Sequence, residues 1–124
     1  MAGVEWIVEA YGCPPSGLRD LGVLRGLFVA LIDDLGLHTV GDILWHQFPH
    51  TGGTTGLALL SESHLTCHTF PEHGSICLNL FSCRPRPQRD FETCLRKYLR
   101  DFLGAERINV REVTRDYAPA EVGA

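Results

Sequence analysis

The middle of this chain contains three strand-like segments with very little sequence between them. Residues 57–60, 64–70 and 75–83 are apolar or alternate between apolar and polar side chains, as strands with one buried face do. Only three and four residues separate the consecutive segments. A parallel pair of strands needs a crossover connection of about a dozen residues or more. Neighbouring strands of this group are therefore predicted to run antiparallel.

Five further elements surround this group and complete the predicted fold. They are a strand at 4–10, a helix capped by Ser16 and ended by Gly36, a strand at 40–48, a helix capped by Asp90 and ended by Gly104, and a strand at Ile108 and Val110. This order predicts an α/β (α+β) two-layer sandwich, with two amphipathic helices on one face of a largely antiparallel sheet. The sheet face without helices favours association into a homodimer.

Length and charge narrow the class of protein. The 124 residues contain no linker and no repeat, which predicts a single domain over 1–124. The net charge of −4 and the scattered basic residues argue against nucleic acid or an anionic membrane as partner. No apolar run approaches the ~20 residues of a membrane span, and the first residues do not resemble a secretory signal. We therefore expect a cytoplasmic protein.

The cysteines fit a reducing compartment. The chain has five of them, an odd number, and no C-x-x-C spacing occurs. Four are expected to be small packing residues, namely Cys13, Cys67, Cys77 and Cys94. The one local cluster of basic residues is expected to form a solvated turn and consists of Arg84, Arg86 and Arg89.

Residues 61–74 carry chemistry that a core strand does not need. The stretch contains three histidines, two carboxylates, two serines and one cysteine. His64 and His68, four residues apart, would share one face of a helix and suit a metal ion. In a strand the same spacing separates them by roughly 13 Å, since each residue advances the chain by ~3.3 Å. We therefore predict no metal site.

Two kinds of serine chemistry remain for this stretch. A hydrolase would use Ser61 or Ser63 as nucleophile with His68 as base, but no Gly-x-Ser-x-Gly turn joins a strand to a helix here. In self-processing, a serine in a tight turn attacks the carbonyl that precedes it, and a nearby base removes the serine α-proton. Elimination and hydrolysis then leave a pyruvoyl group. The segment around Ser63 supplies both the turn and the histidine.

The same stretch resembles the cleavage region of the short prokaryotic S-adenosylmethionine decarboxylases. The resemblance is carried by Glu62-Ser63-His64 and His68-Thr69-Phe70-Pro71-Glu72, and further by His46-Gln47-Phe48, Gly53-Thr54-Thr55-Gly56 and Leu80-Phe81-Ser82-Cys83. Asn79 departs from the pattern, since Asp is common there. The resemblance implies a self-cleaving, pyruvoyl-dependent decarboxylase with a two-layer sandwich fold that dimerises.

The resemblance also implies how the chain is processed. Glu62 becomes the carboxyl end of a β chain, 1–62, and Ser63 becomes the pyruvoyl group at the start of an α chain, 63–124. His68 is the implied base for the elimination. Thr55 is implied to assist the acyl shift through its hydroxyl.

For catalysis, the implied cofactor is the covalent pyruvoyl group derived from Ser63, which forms a Schiff base with the substrate and acts as an electron sink. Cys83 would protonate the substrate after CO₂ leaves. Phe48 would stack on adenine, and Glu9 would hold the polar end of the substrate. The implied substrate is S-adenosylmethionine, for spermidine and thus polyamine biosynthesis. Ornithine or arginine is the alternative substrate, and a non-enzymatic paralogue that stays uncut is the alternative of another class.

Overall fold

A six-stranded antiparallel sheet is the framework of the computed structural model, which describes residues 1–84 and 86–119. The elements are β1 Ala2–Tyr11, α1 Pro15–Arg19, α2 Leu21–Asp34, β2 Leu44–Gln47, β3 Thr54–Leu60, β4 Ser63–Phe70, β5 Ser75–Ser82, α3 Phe91–Leu103 and β6 Arg107–Asp116. The strands lie in the order β2-β3-β4-β5-β1-β6, and every neighbouring pair is antiparallel. None of the helices described is long and apolar enough to cross a membrane.

The helices cover one face of the sheet, because apolar side chains alternate along the strands. In β4, Leu65 and Cys67 are fully buried, whereas His64 and His68 are exposed. The buried side chains of the strands join those of the helices, such as Phe28, in one core. The predicted two-layer sandwich with a largely antiparallel sheet is confirmed.

The opposite face of the sheet carries no helix among the described residues, and we call it the open face. Strand register places alternate side chains there, including Glu5, Ile7, Glu9, Leu44, His46, Thr55, Leu57, Leu59, His64, Thr66, His68, Cys77, Asn79, Phe81, Arg111 and Val113. Leu44 and Leu59 are 66% and 61% exposed. Several large apolar side chains on one sheet face are typical of a surface that packs against another protein.

The prediction of a single helix between Ser16 and Gly36 is wrong. Helix α1 ends at Arg19 and α2 begins at Leu21, because Asp20 has an extended backbone with φ −92° and ψ 107°. Its carboxylate accepts hydrogen bonds from the N–H groups of Gly22 and Val23 at 2.8 and 3.2 Å. Asp20 therefore caps the long helix, and Ser16 does not.

Two strand boundaries also differ from the prediction. Strand β2 contains only Leu44–Gln47, and the chain before it turns at Gly41, whose φ is +74°. Strand β6 is longer than the two apolar residues indicated, since its whole length pairs with β1. Helix α3 agrees with the prediction: Asp90 caps its start, and Gly104 follows its end with φ +63°.

Candidate active site

The bond between Glu62 and Ser63 lies in a tight turn between two strands of the sheet. Leu60 at the end of β3 pairs with Ser63 at the start of β4, so Ser61 and Glu62 form a two-residue turn. Ser63 is 9% exposed, and its side chain lies on the helix side of the sheet by alternation with the strand. Water therefore has little access to the Ser63 hydroxyl.

The carbonyl of Glu62 is held by the strand on the other side of β4. The backbone N–H of Cys83, directly after β5, donates to the Glu62 oxygen at 2.8 Å. A donor in this position polarises the carbonyl and stabilises negative charge that develops on its oxygen. The carbonyl that precedes Ser63 thus has a hydrogen-bond donor in place. Cys83 is exposed, and its backbone lies next to this turn.

Thr55 and His68 form a second feature, on the open face. They are paired across β3 and β4, and Thr55 Oγ1 lies 2.9 Å from His68 Nδ1. The hydrogen bond fixes the orientation of the ring and leaves Nε2 outside this contact. His46 neighbours Thr55 on β2, and Phe48 packs edge-on against His46 with ring centres 4.9 Å apart.

The predicted site residues fall into two groups at opposite ends of the sheet. The turn group consists of Glu62, Ser63 and Cys83, and the histidine group consists of Phe48, Thr55, His68 and Glu9. Six residues separate Cys83 from Cys77, the cross-strand partner of both His68 and Glu9, which corresponds to roughly 20 Å. Within one chain, therefore, the structure does not bring His68 to Ser63.

The side chains of Ser63 and His68 also lie on opposite faces of the sheet. They are five residues apart in the same strand, and an odd spacing puts two side chains on different faces. Glu9 lies on the open face beside Cys77, and its carboxylate is 2.6 Å from Arg111. Phe48 is 47% exposed at the end of β2.

Sequence reasoning missed several features of the open face. Cys77 is exposed beside His68 and Glu9, so the prediction that it is a packing residue is wrong. Partial burial and the negative charge of Glu9 raise the pKa of the Cys77 thiol. Hydrogen bonds from Asn79 and Arg115 lower the pKa of Glu5, which keeps that carboxylate charged.

Cys67 and His64 both make packing contacts within the sheet. Cys67 is buried as predicted, and burial raises its pKa to about 12. His64 stacks on Phe81 with ring centres 5.6 Å apart. Within residues 1–84 and 86–119, no three His, Cys, Asp or Glu side chains are arranged to hold a metal ion.

Comparison with known proteins identifies a family whose sequences are similar to this chain. The family described as S-adenosylmethionine decarboxylase matches residues 4–116. An S-adenosylmethionine decarboxylase proenzyme from Parasynechococcus marenigrum (strain WH8102) is 36% identical, covering 98% of this chain and 91% of that protein. A proenzyme of the same name from Geobacillus sp. (strain WCH70) is 33% identical, covering 97% and 92%.

A solved structure shares the fold. The crystal structure of the adenosylmethionine decarboxylase from Aquifex aeolicus aligns with a TM-score of 0.77 and 24% identity, over 98% of this chain and 97% of that one. The family match over residues 4–116 includes the turn group and the histidine group. This chain belongs to the S-adenosylmethionine decarboxylase family.

Proposed function

We propose that this chain cleaves itself between Glu62 and Ser63 and then decarboxylates S-adenosylmethionine, a step of polyamine synthesis, with a pyruvoyl group made from Ser63. One observation carries the proposal: the Glu62 carbonyl, in a two-residue turn before a nearly buried serine, accepts a hydrogen bond from Cys83 N–H at 2.8 Å. Backbone pairing occupies both sides of this turn. The scissile carbonyl is therefore held and polarised before any reaction begins.

The cleavage follows from the position of the Ser63 hydroxyl. Its oxygen attacks the Glu62 carbonyl carbon, and the Cys83 N–H stabilises the resulting oxyanion. Breaking the C–N bond converts the amide into an ester and leaves the Ser63 nitrogen as an amine. A base then removes the Ser63 α-proton, and the Glu62 carboxylate leaves. Water converts the remaining dehydroalanine to a pyruvoyl group and releases ammonia.

A homodimer supplies the base that one chain lacks at this position. The turn group and the histidine group lie at opposite ends of the sheet. When two open faces pack together around a twofold axis, the histidine group of one chain reaches the turn group of the other. Exposed apolar residues on this face, Leu44, Leu57, Leu59 and Val113, support such packing. The dimer then has two sites, each built from both chains.

The pyruvoyl group withdraws electrons from the bond that breaks when CO₂ leaves. The chain provides the groups around it: Cys83 delivers a proton to the substrate, and Phe48 from the histidine group stacks on adenine. Glu9 lies in the same group and holds the polar end of the substrate together with its partner Arg111. The five free cysteines support a reducing, cytoplasmic location.

Cys83→Ala is expected to separate processing from turnover. Processing uses the backbone N–H of residue 83, which alanine retains, so the variant is expected to be cut like the wild type. Loss of the thiol is expected to lower kcat by about a hundredfold or more, as for other general acids. Intact mass and CO₂ release measure the two steps. Cys94→Ala, which removes a thiol in helix α3 on the other face of the sheet, is the control and is expected to retain both steps. A fully active Cys83→Ala protein would exclude the thiol from the mechanism.

The substrate is expected to be S-adenosylmethionine rather than ornithine or arginine. Ornithine and arginine each end in a cationic group that needs a free carboxylate in the site. The carboxylates of Glu5 and Glu9 on the open face are already paired with Arg115 and Arg111. The test is release of CO₂ from carboxyl-labelled S-adenosylmethionine, ornithine and arginine by the same processed protein. A much higher kcat/KM for either amino acid would make the alternative substrate correct.

A further inference from the structure

The side chain of Glu62 is held as well as its carbonyl. Its two carboxylate oxygens face Arg84 and Arg86: Arg84 Nε lies 3.3 Å from Oε1, and Arg86 Nη2 lies 4.0 Å from Oε2. The short segment that follows β5 thus contacts Glu62 at three points, two guanidinium groups and the Cys83 N–H. The sequence prediction of a merely solvated arginine turn is therefore incomplete.

This segment is itself anchored to the sheet. The hydroxyl of Ser82, which is 2% exposed, donates to the Arg84 carbonyl at 2.8 Å and fixes the bend after β5. Ser82 also pairs directly with Ser63. Arg86 is the more sheltered of the two arginines, with 26% of its side chain exposed against 74% for Arg84. Its buried Nε has no acceptor among the described residues.

Cleavage changes the charge at this position. In the uncut chain, Glu62 carries one carboxylate and one neutral carbonyl. After the cut, the carbonyl carbon becomes a second carboxylate, one of whose oxygens is the atom that Cys83 N–H already binds. Residue 62 then carries two negative charges beside two guanidinium groups. Attraction between them is stronger in the cut protein than in the precursor.

We propose that Arg84 and Arg86 are positioning residues that dock residue 62 as the new carboxyl terminus and hold it against the other chain after cleavage. The inference rests on the proposed cleavage after Glu62. Both arginines belong to the 63–124 chain and Glu62 to the 1–62 chain, so these ion pairs join the two products. The guanidinium groups thereby offset the negative charge that cleavage adds at residue 62.

The test compares three double variants with the wild type. Arg84→Gln with Arg86→Gln removes the proposed contacts, and Arg84→Lys with Arg86→Lys keeps the charges. Arg25→Gln with Arg100→Gln removes two positive charges from exposed positions in helices α2 and α3. Intact mass first identifies the cut fraction of each protein. Carboxypeptidase trimming of the 1–62 chain and hydrogen exchange at residues 60–62 are then measured on that fraction.

Loss of two partly exposed ion pairs is expected to speed trimming and exchange about tenfold in the glutamine variant. The lysine variant and the Arg25/Arg100 control are expected to stay within about twofold of the wild type. Equal rates in the glutamine variant and the wild type would overturn the inference and leave the proposed function intact. If trimming and exchange were as fast in the lysine variant as in the glutamine variant, the inference would also be overturned. The positive charges that lysine retains would then have no effect on residue 62. A wild-type protein without any cut fraction would instead overturn the proposed function.

Discussion

Purified protein is expected to separate into two chains of 62 residues, 1–62 and 63–124, whereas Ser63→Ala is expected to remain one chain of 124. The reason is chemical: without the hydroxyl, no atom is positioned to attack the Glu62 carbonyl, although Cys83 N–H still polarises it. Denaturing electrophoresis and intact mass measure the outcome. Residue 63 of the second wild-type chain is expected to resist Edman degradation, because a pyruvoyl group has no α-amine.

Ser61→Ala is the matched control for this experiment. Ser61 is the neighbouring serine of the same turn, and its hydroxyl donates to the His38 carbonyl at 3.4 Å. The Ser61→Ala protein is therefore expected to be cut like the wild type. Wild-type protein that keeps its full-length mass after prolonged incubation would contradict the proposal and support an unprocessed, non-enzymatic paralogue. Cleavage of Ser63→Ala at the same bond would show that another nucleophile acts.

His68→Ala is expected to stop processing after the acyl shift. The ester can still form, because the Ser63 hydroxyl and the Cys83 N–H are unchanged, but the α-proton loses its base. Loss of a general base is expected to slow chain separation by about a thousandfold. The stalled protein keeps its full-length mass, and hydroxylamine is expected to cut its ester at residue 63. His73→Ala, an exposed histidine after β4, is the control and is expected to be cut normally.

Mixed dimers test whether the base comes from the second chain. When Ser63→Ala and His68→Ala chains are produced together, one site of the mixed dimer pairs an intact Ser63 with an intact His68 from the other chain. The His68→Ala chain is therefore expected to be cut in the mixture, although neither variant is cut alone. Tags of different mass on the two variants identify the cut chain. No cleavage in a mixture that contains mixed dimers would contradict the shared site.

Much of the fold could be predicted from the alternation of apolar and polar side chains along the strands. Counting by two along β3, β4 and β5 assigns each side chain to the correct face, because the period of a strand is two. The break at Asp20 could not be predicted in this way. The three-residue spacing of Leu18, Leu21 and Leu24 suits a continuous helix as well as the interrupted one. The short β2 depends on the turn at Gly41, which no apolar pattern marks.

The residue types of the site were visible in the sequence, but their distribution over the sheet was predicted incompletely. The odd spacing of Ser63 and His68 already implies opposite faces once both are assigned to β4. The contact of Glu62 with Arg84 was not predictable from local patterns. It depends on the register that pairs Ser63 with Ser82, and side chains distant in sequence determine that register.

The strand order has a further consequence for a protein cut after Glu62. The first fragment contains β1, β2 and β3, the second contains β4, β5 and β6, and β1 lies between β5 and β6. The two fragments are interleaved, so each completes the hydrogen bonding of the other. The precursor folds as a single polymer, but the cut protein unfolds into two molecules. By mass action, its stability then depends on protein concentration, and refolding after dilution requires a bimolecular encounter that the precursor never needed.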